Sequence, residues 1–328
     1  MNNETAAAAG QICRILSLDG GGAKGFYTLG VLKELEALLG SPLCRHFSLI
    51  FGTSTGAIIA ALLALGYEVD AIHALYKEHV PTVMQCRSAK ERSAALARLA
   101  DSVFKDQTFT DVKTGVGIVA THWVEEKPMI FKASRAQAHG RKNTFVPGFG
   151  CTIADAVRAS CSAYPFFKRP VIKTSKGEYV ELIDGGYCAN NPTLYAIADA
   201  LVALERSPSD LRVVSIGVGV YPEPKRRLVA WLKKRIQESL LDVQLLQKTL
   251  NINTSSMEQL RAILYKNIPT VRINDTFERP EMATDLMEFN LVKLDILYQR
   301  GGESFAKREA DLKELLVAAP TDRAMSGG

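Results

Sequence analysis

The feature that most restricts this chain is Gly52-Thr53-Ser54-Thr55-Gly56, set between an apolar strand, Phe47–Phe51, and a small-residue helix, Ala57–Leu65. A strand running straight into G-x-S-x-G and leaving as a helix is the setting of a nucleophile elbow. The glycines let the backbone turn without clash, and the serine hydroxyl is thrust outward. The same string also describes a serine N-cap on an ordinary helix, so the context has to be read further.

Upstream, Arg14–Asp19 is an alternating apolar strand. It is followed by Gly20, Gly21, Gly22 and Gly25 and then by a helix, Phe26–Leu39, with leucines at helical spacing. Strand, helix, strand, helix in so short a stretch implies a mostly parallel sheet covered on both faces, an α/β fold. Residues 67–150 are less regular. They hold helices over Val69–His79 and Ser88–Val103, a strand over Pro128–Ala133 and a polar loop over Arg135–Asn143, and they read as an insertion or cap over one end of the sheet. A helix over Ile153–Ser162 and an aromatic turn, Tyr164–Phe167, come next. The strand Tyr179–Ile183 then runs into Asp184-Gly185-Gly186, and Leu211–Ile216 reads as the last clear strand. Beyond residue 220 the pattern predicts helices packed on the catalytic part: Leu228–Leu250, Ser256–Tyr265, and Leu286–Leu316 with a break at Gly301-Gly302. The pattern thus reads as an α/β body up to about residue 220, a helical C-terminal extension over 221–319, and flexible ends at 1–11 and 320–328.

Composition narrows the class. The 328 residues are 47% hydrophobic and 23% charged, an ordinary globular mixture. The longest apolar run, Ala57–Leu65, is far shorter than a spanning helix needs, and Met1–Gly10 lacks the basic start and apolar core of a secretory signal. Six scattered cysteines without a C-x-x-C pair fit free thiols in a reducing, cytoplasmic setting. The net charge of +5 leaves anionic partners admissible.

A serine nucleophile needs a base. The histidines are His46, His73, His79, His122 and His139. None follows Asp184, so the order serine, acid, histidine is not available with that acid. No aspartate lies in 47–53 to serve the order histidine, acid, serine. Asp184, at the end of an apolar strand and entering Gly185-Gly186, is the residue in a catalytic setting; an Asx turn is the alternative reading. The loop Gly20-Gly21-Gly22-Ala23-Lys24-Gly25 has three readings. It matches G-x-G-x-x-G, but the second strand carries no acid for a ribose. A P-loop would need lysine where Phe26 stands. The third reading is an oxyanion hole, in which glycine amides at a helix N-terminus face a developing negative charge and Lys24 adds a positive one.

Taken together, Asp19–Gly25, Gly52–Gly56 and Asp184–Gly186 resemble, in order and spacing, the patatin-like phospholipases, which carry D-G-G-G-x-[RK]-G, G-x-S-x-G and D-G-[GA]; Asn190-Asn191-Pro192 is similar as well. The resemblance covers residues 12–220 and implies a three-layer αβα fold. It implies a Ser–Asp dyad without histidine, with Ser54 as nucleophile and Asp184 as base. It implies an oxyanion hole from Gly20, Gly21, Gly22, Lys24 and Gly25, with Gly52, Gly56, Gly185 and Gly186 shaping the two turns. Lys24 stands where arginine is common, which removes a planar hydrogen-bonding fork. No metal or cofactor is implied for the chemistry.

Within the family, SLDGGGAKGFYTLGVLKELE, FGTSTGAIIAALLALG and the helical C-terminal part resemble the bacterial patatin effectors of cyclic-nucleotide anti-phage (CBASS) systems. That likeness implies a phospholipase switched on by a cyclic dinucleotide such as cGAMP, acting on membrane phospholipid at the inner face of the cell membrane. Residues 86–150 carry eleven Lys or Arg against six Asp or Glu, and Lys225, Arg226, Arg227, Lys233, Lys234 and Arg235 follow without an acid. These could meet the activator's phosphates or an anionic bilayer, or simply form solvated faces. Trp231, Tyr164, Phe166 and Phe167 are candidates for lipid contact or an acyl groove, against ordinary core packing. The C-terminal helices could also form a homo-oligomer contact. A constitutive soluble lipase and a non-enzymatic nucleotide-binding protein are the alternatives. DNA or RNA binding finds no motif or aromatic platform.

Overall fold

The computed structural model describes residues 12–140, 142–222 and 233–317, by backbone alone for 233–243. The chain opens with β1 (Cys13–Leu18), α1 (Gly25–Leu39), β2 (Leu49–Thr53) and α2 (Thr55–Leu65). Then come α3 (Val69–Met84), α4 (Ala89–Phe104), β3 (Gly115–His122), β4 (Lys127–Lys132) and α5 (Ile153–Ser160). The hairpin β5 (Val171–Lys173) and β6 (Tyr179–Asp184) leads to α6 (Gly186–Ala189), α7 (Thr193–Ala198) and β7 (Leu211–Ile216). The C-terminal part holds α8 (Lys233–Leu264), β8 (Thr270–Ile273), α9 (Leu291–Ala306) and α10 (Glu309–Leu316).

One sheet runs β5-β6-β3-β2-β1-β7-β8, with β4 paired to β3. β1, β2, β3, β7 and β8 are parallel. Period-two alternation sends the two faces of these strands into separate cores. Leu16 and Leu18, Ile50, Val214 and Ile216 enter the large core under the α1, α2 and α3 helices. Ile15, Leu49, Phe51 and Val213 enter a smaller one covered by Ala196 and Ile197 of α7. The expected three-layer αβα arrangement is therefore present.

Four expectations are corrected. β3 lies inside the stretch read as an insertion, yet it is a strand of the main sheet, paired with β2, β4 and β6. Leu211–Ile216 is not the last strand, because β8 follows and pairs with β7 from within the segment read as a helical extension. Gly301-Gly302 does not break a helix: α9 continues through it, and Gly301 is where α9 meets α1. A Cβ on Gly301 would stand 2.1 Å from Tyr27 O, and one on Gly30 would stand 1.9 Å from Tyr298 O. Likewise α8 is one helix where two were expected. The ends 1–11 and 320–328, with Lys225, Arg226, Arg227 and Trp231, lie outside the described residues.

The position of the candidate site follows from how β3 is shared. β4 pairs with Gly117–His122, which occupies one edge of β3. On the other edge β2 pairs as far as Thr53 opposite Val119, and β6 pairs from Asp184 opposite Ala120. β2 is parallel to β3 and β6 antiparallel, so these two strands run head-on and stop on adjacent rungs.

Candidate active site

Ser54 follows the last residue of β2, and its backbone sits at φ 53 and ψ −123, a region that L-residues rarely occupy. The turn demands close approach on both sides. A Cβ on Gly52 would stand 2.1 Å from Gly56 O, and one on Gly56 would stand 2.3 Å from Leu18 O. A side chain at either position would break the elbow. The strained turn is held by a residue that the motif reading did not single out. The Ser54 amide donates to Ser160 Oγ at 2.9 Å, and Ser160 Oγ donates to Val119 O at 2.6 Å.

Asp184 ends β6 and is buried. Its backbone is fixed at both ends, with its amide donating to Ser162 O and its carbonyl accepting from Thr121 Oγ1. Burial pushes its carboxyl up to about 7; the Gly186 amide, 2.7 Å from Oδ1, and the nearby Ser54 side chain oppose that shift. Gly185 is required by contact, since a Cβ there would stand 2.1 Å from Val119 O. The structure thus brings Ser54 and Asp184 together on the wall of one cavity, because β6 is antiparallel to β3 and meets β2 end to end.

The glycine loop lies alongside. The Gly20 amide donates to Asn190 O, Ala23 to Leu286 O, Lys24 to Gly21 O, and Gly25 to Ala23 O and Gly22 O. The Gly21 and Gly22 amides have no protein acceptor among the described residues, and both glycines line a cavity with Ser54 and Asp184. Of the five loop residues expected to contribute, these two have free amides. The Lys24 ammonium is buried, and desolvation lowers it to about 8 against the opposing charge of Asp285. Asp19 receives two hydrogen bonds from Arg272 of β8, which ties the loop to the C-terminal part of the chain.

The cavity is narrow, about 70 Å³, and otherwise apolar, with walls from Ile58, Val80, Val83, Leu96, Leu99 and Phe166. Phe167 is part of the lining, as are Leu250 of α8 and Leu286 and Met287 from the loop before α9. Tyr164 instead stands exposed, 6.1 Å from the Trp123 ring, with the Arg169 guanidinium over Trp123. No histidine lines the cavity. Among the described residues no group of three or more His, Cys, Asp or Glu could hold a metal ion, and no helix is long and apolar enough to cross a membrane.

Asn190 was legible only as part of a motif. It is buried; its Nδ2 donates to Gly20 O at 3.2 Å and Thr254 Oγ1 at 2.7 Å, and its amide to Asn253 Oδ1. Its Oδ1 has no partner. That oxygen and Asp184 Oδ1 each lie 3.0 Å from the point a Cβ on Gly186 would occupy. Leu250 Cδ2 stands 2.6 Å from the same point, so the two oxygens and this methyl together bound the space that a Cβ would fill.

A strained serine at a strand–helix turn, a buried carboxyl raised toward neutrality and two glycine amides without acceptors among the described residues line one apolar cavity on an α/β scaffold. Residues 16–197 match the Patatin-like phospholipase family, and the chain belongs to that family of ester hydrolases. It is 69% identical over 306 residues to a cUMP-AMP-activated phospholipase of Escherichia coli, an alignment covering 93% of this chain and 94% of that one. It is 30% identical to a cGAMP-activated phospholipase of Pseudomonas aeruginosa and 27% identical to one of Vibrio cholerae. These two alignments cover 62% of this chain in both cases, and 61% and 63% of the relatives.

Proposed function

We propose that this chain hydrolyses acyl esters of membrane phospholipids with a Ser54–Asp184 dyad and that a cyclic dinucleotide switches it on, so that the cell's own membrane is degraded in an anti-phage response. The observation that carries the chemistry is that Ser54, on its strained turn, and the buried Asp184 carboxyl, raised to about 7, line one cavity. An ordinary aspartate near 4 is a weak base, whereas one near 7 is matched to proton transfer at neutral pH.

Ser54 Oγ attacks the ester carbonyl while Asp184 takes its proton. The Gly21 and Gly22 amides receive the oxyanion. The proton passes to the leaving lysophospholipid oxygen, and the acyl-enzyme forms. A water then gives its proton to Asp184 and attacks the acyl carbon, releasing the fatty acid and returning the proton to Ser54. The apolar lining suits an acyl chain, with its carbonyl at Ser54. Trp123, Tyr164 and Arg169 suit contact with a lipid headgroup layer beside the entrance. The names of the most similar relatives support activation by a cyclic dinucleotide.

The test is release of fatty acid from phosphatidylglycerol–phosphatidylethanolamine vesicles, with and without cyclic UMP-AMP and cyclic GMP-AMP. Hydrolysis that requires one of them and disappears in Ser54→Ala is expected. Hydrolysis indifferent to every cyclic dinucleotide would favour a constitutive lipase, and undiminished hydrolysis by Ser54→Ala would end the dyad reading.

A further inference from the structure

A second cavity, of about 490 Å³, lies between β4, residues 137–149 and the turn joining β5 to β6. It shares no lining residue with the catalytic cavity. A neighbouring hollow around Lys142 continues it, sharing Thr144 and Lys176. The space is within the range of small-molecule sites, roughly 300–1,000 Å³, and the catalytic chemistry makes no use of it.

Three features of its lining belong to a binding site more than to a surface fold. Phe149, a lining residue that is 39% exposed, is held at φ 56, in the left-handed region, with its ring edge-on to Phe131 at 5.6 Å. A bulky residue in that region costs of order 1–3 kcal/mol, and burying the ring does not offset it here. Thr174 is buried, at 8% exposure, yet its hydroxyl has no hydrogen-bond partner. Lys176, two residues on, is exposed and has no carboxylate partner among the described residues. Among the described residues the other basic side chains are already engaged: Lys127 with Glu125, Lys142 with Glu205, and Lys132 and His139 with the buried Asp199. Among the described residues the groove therefore offers an aromatic face, an unmet hydroxyl and one cation without a carboxylate partner, Lys176, within a single concavity.

We propose that this groove is where the activating cyclic dinucleotide binds. The inference rests on the activation reading above and adds its site. One base stacks on Phe149, a phosphate meets Lys176, and the Thr174 hydroxyl bonds a base edge or a phosphate oxygen. Stacking tolerates either base, and the phosphate contact carries no base information, so selectivity among dinucleotides falls to polar groups such as Thr174. The groove also has a short route to the chemistry. The Thr174 amide donates to Glu178 O and closes the turn that begins β6, and β6 ends at Asp184. A ligand that draws the 174–178 turn toward Phe149 acts on the strand whose last residue must meet Ser54.

The test is isothermal titration of the full chain with cyclic UMP-AMP, cyclic GMP-AMP and linear pUpA. It compares wild type, Lys176→Glu, Phe149→Gly and, as a distant charge control, Lys266→Glu. Phe149→Gly removes the ring while relieving the backbone, and Lys176 is exposed, so both variants should melt as wild type does. The expected result is that the cyclic dinucleotide bound by wild type loses about tenfold or more in affinity in Lys176→Glu and Phe149→Gly, the scale of one stacked base. Lys266→Glu should bind normally, and all four proteins should hydrolyse a short soluble ester at equal basal rates. Wild-type affinity in both groove variants would overturn the site and leave activation standing. A wild-type protein that binds neither cyclic dinucleotide would overturn both. Linear pUpA bound as tightly as the cyclic ligands would overturn the cyclic occupant.

Discussion

Ser160 accepts the backbone proton of Ser54 at 2.9 Å and hands its own hydroxyl proton to Val119 O at 2.6 Å. One side chain at the end of α5 thereby ties the elbow to the rung of β3 where β2 and β6 meet. Ser160→Ala leaves the Ser54 amide and the Val119 carbonyl unmet in a buried place, which costs about 1–3 kcal/mol. Because misplacement of the nucleophile is felt strongly in the rate, kcat should fall on the order of 10²-fold while KM for a soluble ester changes little. Steady-state kinetics with a chromogenic short-chain ester, beside a thermal melt, separate the two effects. Unchanged kcat in a folded variant would deny Ser160 its positioning role.

Asp184 links the pH dependence of activity to that of stability. Its carboxyl titrates near 7 in the folded chain, above the ordinary carboxylate range. The basic form is the reactive one, so kcat/KM should climb about tenfold per pH unit below 7 and level off above it. The stability sign is the reverse. Between about pH 4 and 7 the folded chain holds a proton that the unfolded chain has released, so stability falls as pH rises through that window, and the penalty is complete above it. Asp184→Asn, which never ionises, should be inactive yet more stable at pH 8, by on the order of 1–4 kcal/mol, with the gain shrinking toward pH 4. Denaturant titrations at the two pH values give the comparison; equal stability differences at both would show that burial does not set the carboxyl's titration.

Arg272 is the reason the catalytic part does not stand alone. It donates to both carboxylate oxygens of buried Asp19 and to Ser215 Oγ. Arg272→Ala leaves a carboxylate buried without its counter-charge, at a cost of about 3–5 kcal/mol. The double variant Asp19→Asn, Arg272→Met removes both charges and should recover much of that loss. A protein cut after residue 220 loses Arg272 with β8 and should fail to fold cooperatively. Urea unfolding followed by tryptophan fluorescence measures all three.

What could be read from the amino-acid string is what local chemistry dictates. Ser54 and Asp184 stand out in the string because glycines beside each residue mark a turn, and the structure places both on one cavity. β3 was missed because Gly115-Val-Gly-Ile-Val-Ala-Thr-His122 neither alternates nor carries turn signals on its flanks, and a short buried run of small residues fits more than one element. β8 is four residues long and is recognisable only by the strand it pairs with. Ser160 and Arg272 act through partners far along the chain, Ser54 and Asp19, and no spacing rule announces such contacts. Gly301 read as a helix break because its purpose, the close crossing of α9 over α1, belongs to packing.

Asn190 carries the last prediction. Its Oδ1 is a buried acceptor without a partner, oriented by the Nδ2 bonds to Gly20 O and Thr254 Oγ1, so a flipped amide would set oxygen against the Gly20 carbonyl. A water between this oxygen and Asp184 Oδ1 would satisfy both, and it would stand beside the base that deacylation needs. Asn190→Ala should therefore slow release of the acyl group more than its formation. With a p-nitrophenyl ester the variant should show a burst of one product per enzyme and a steady rate reduced about 10–100-fold, the scale of a misplaced reacting group. Mass spectrometry should find the acyl adduct on Ser54. Acylation and deacylation slowed in equal measure would mean that Asn190 only braces the Gly20 loop and holds no hydrolytic water.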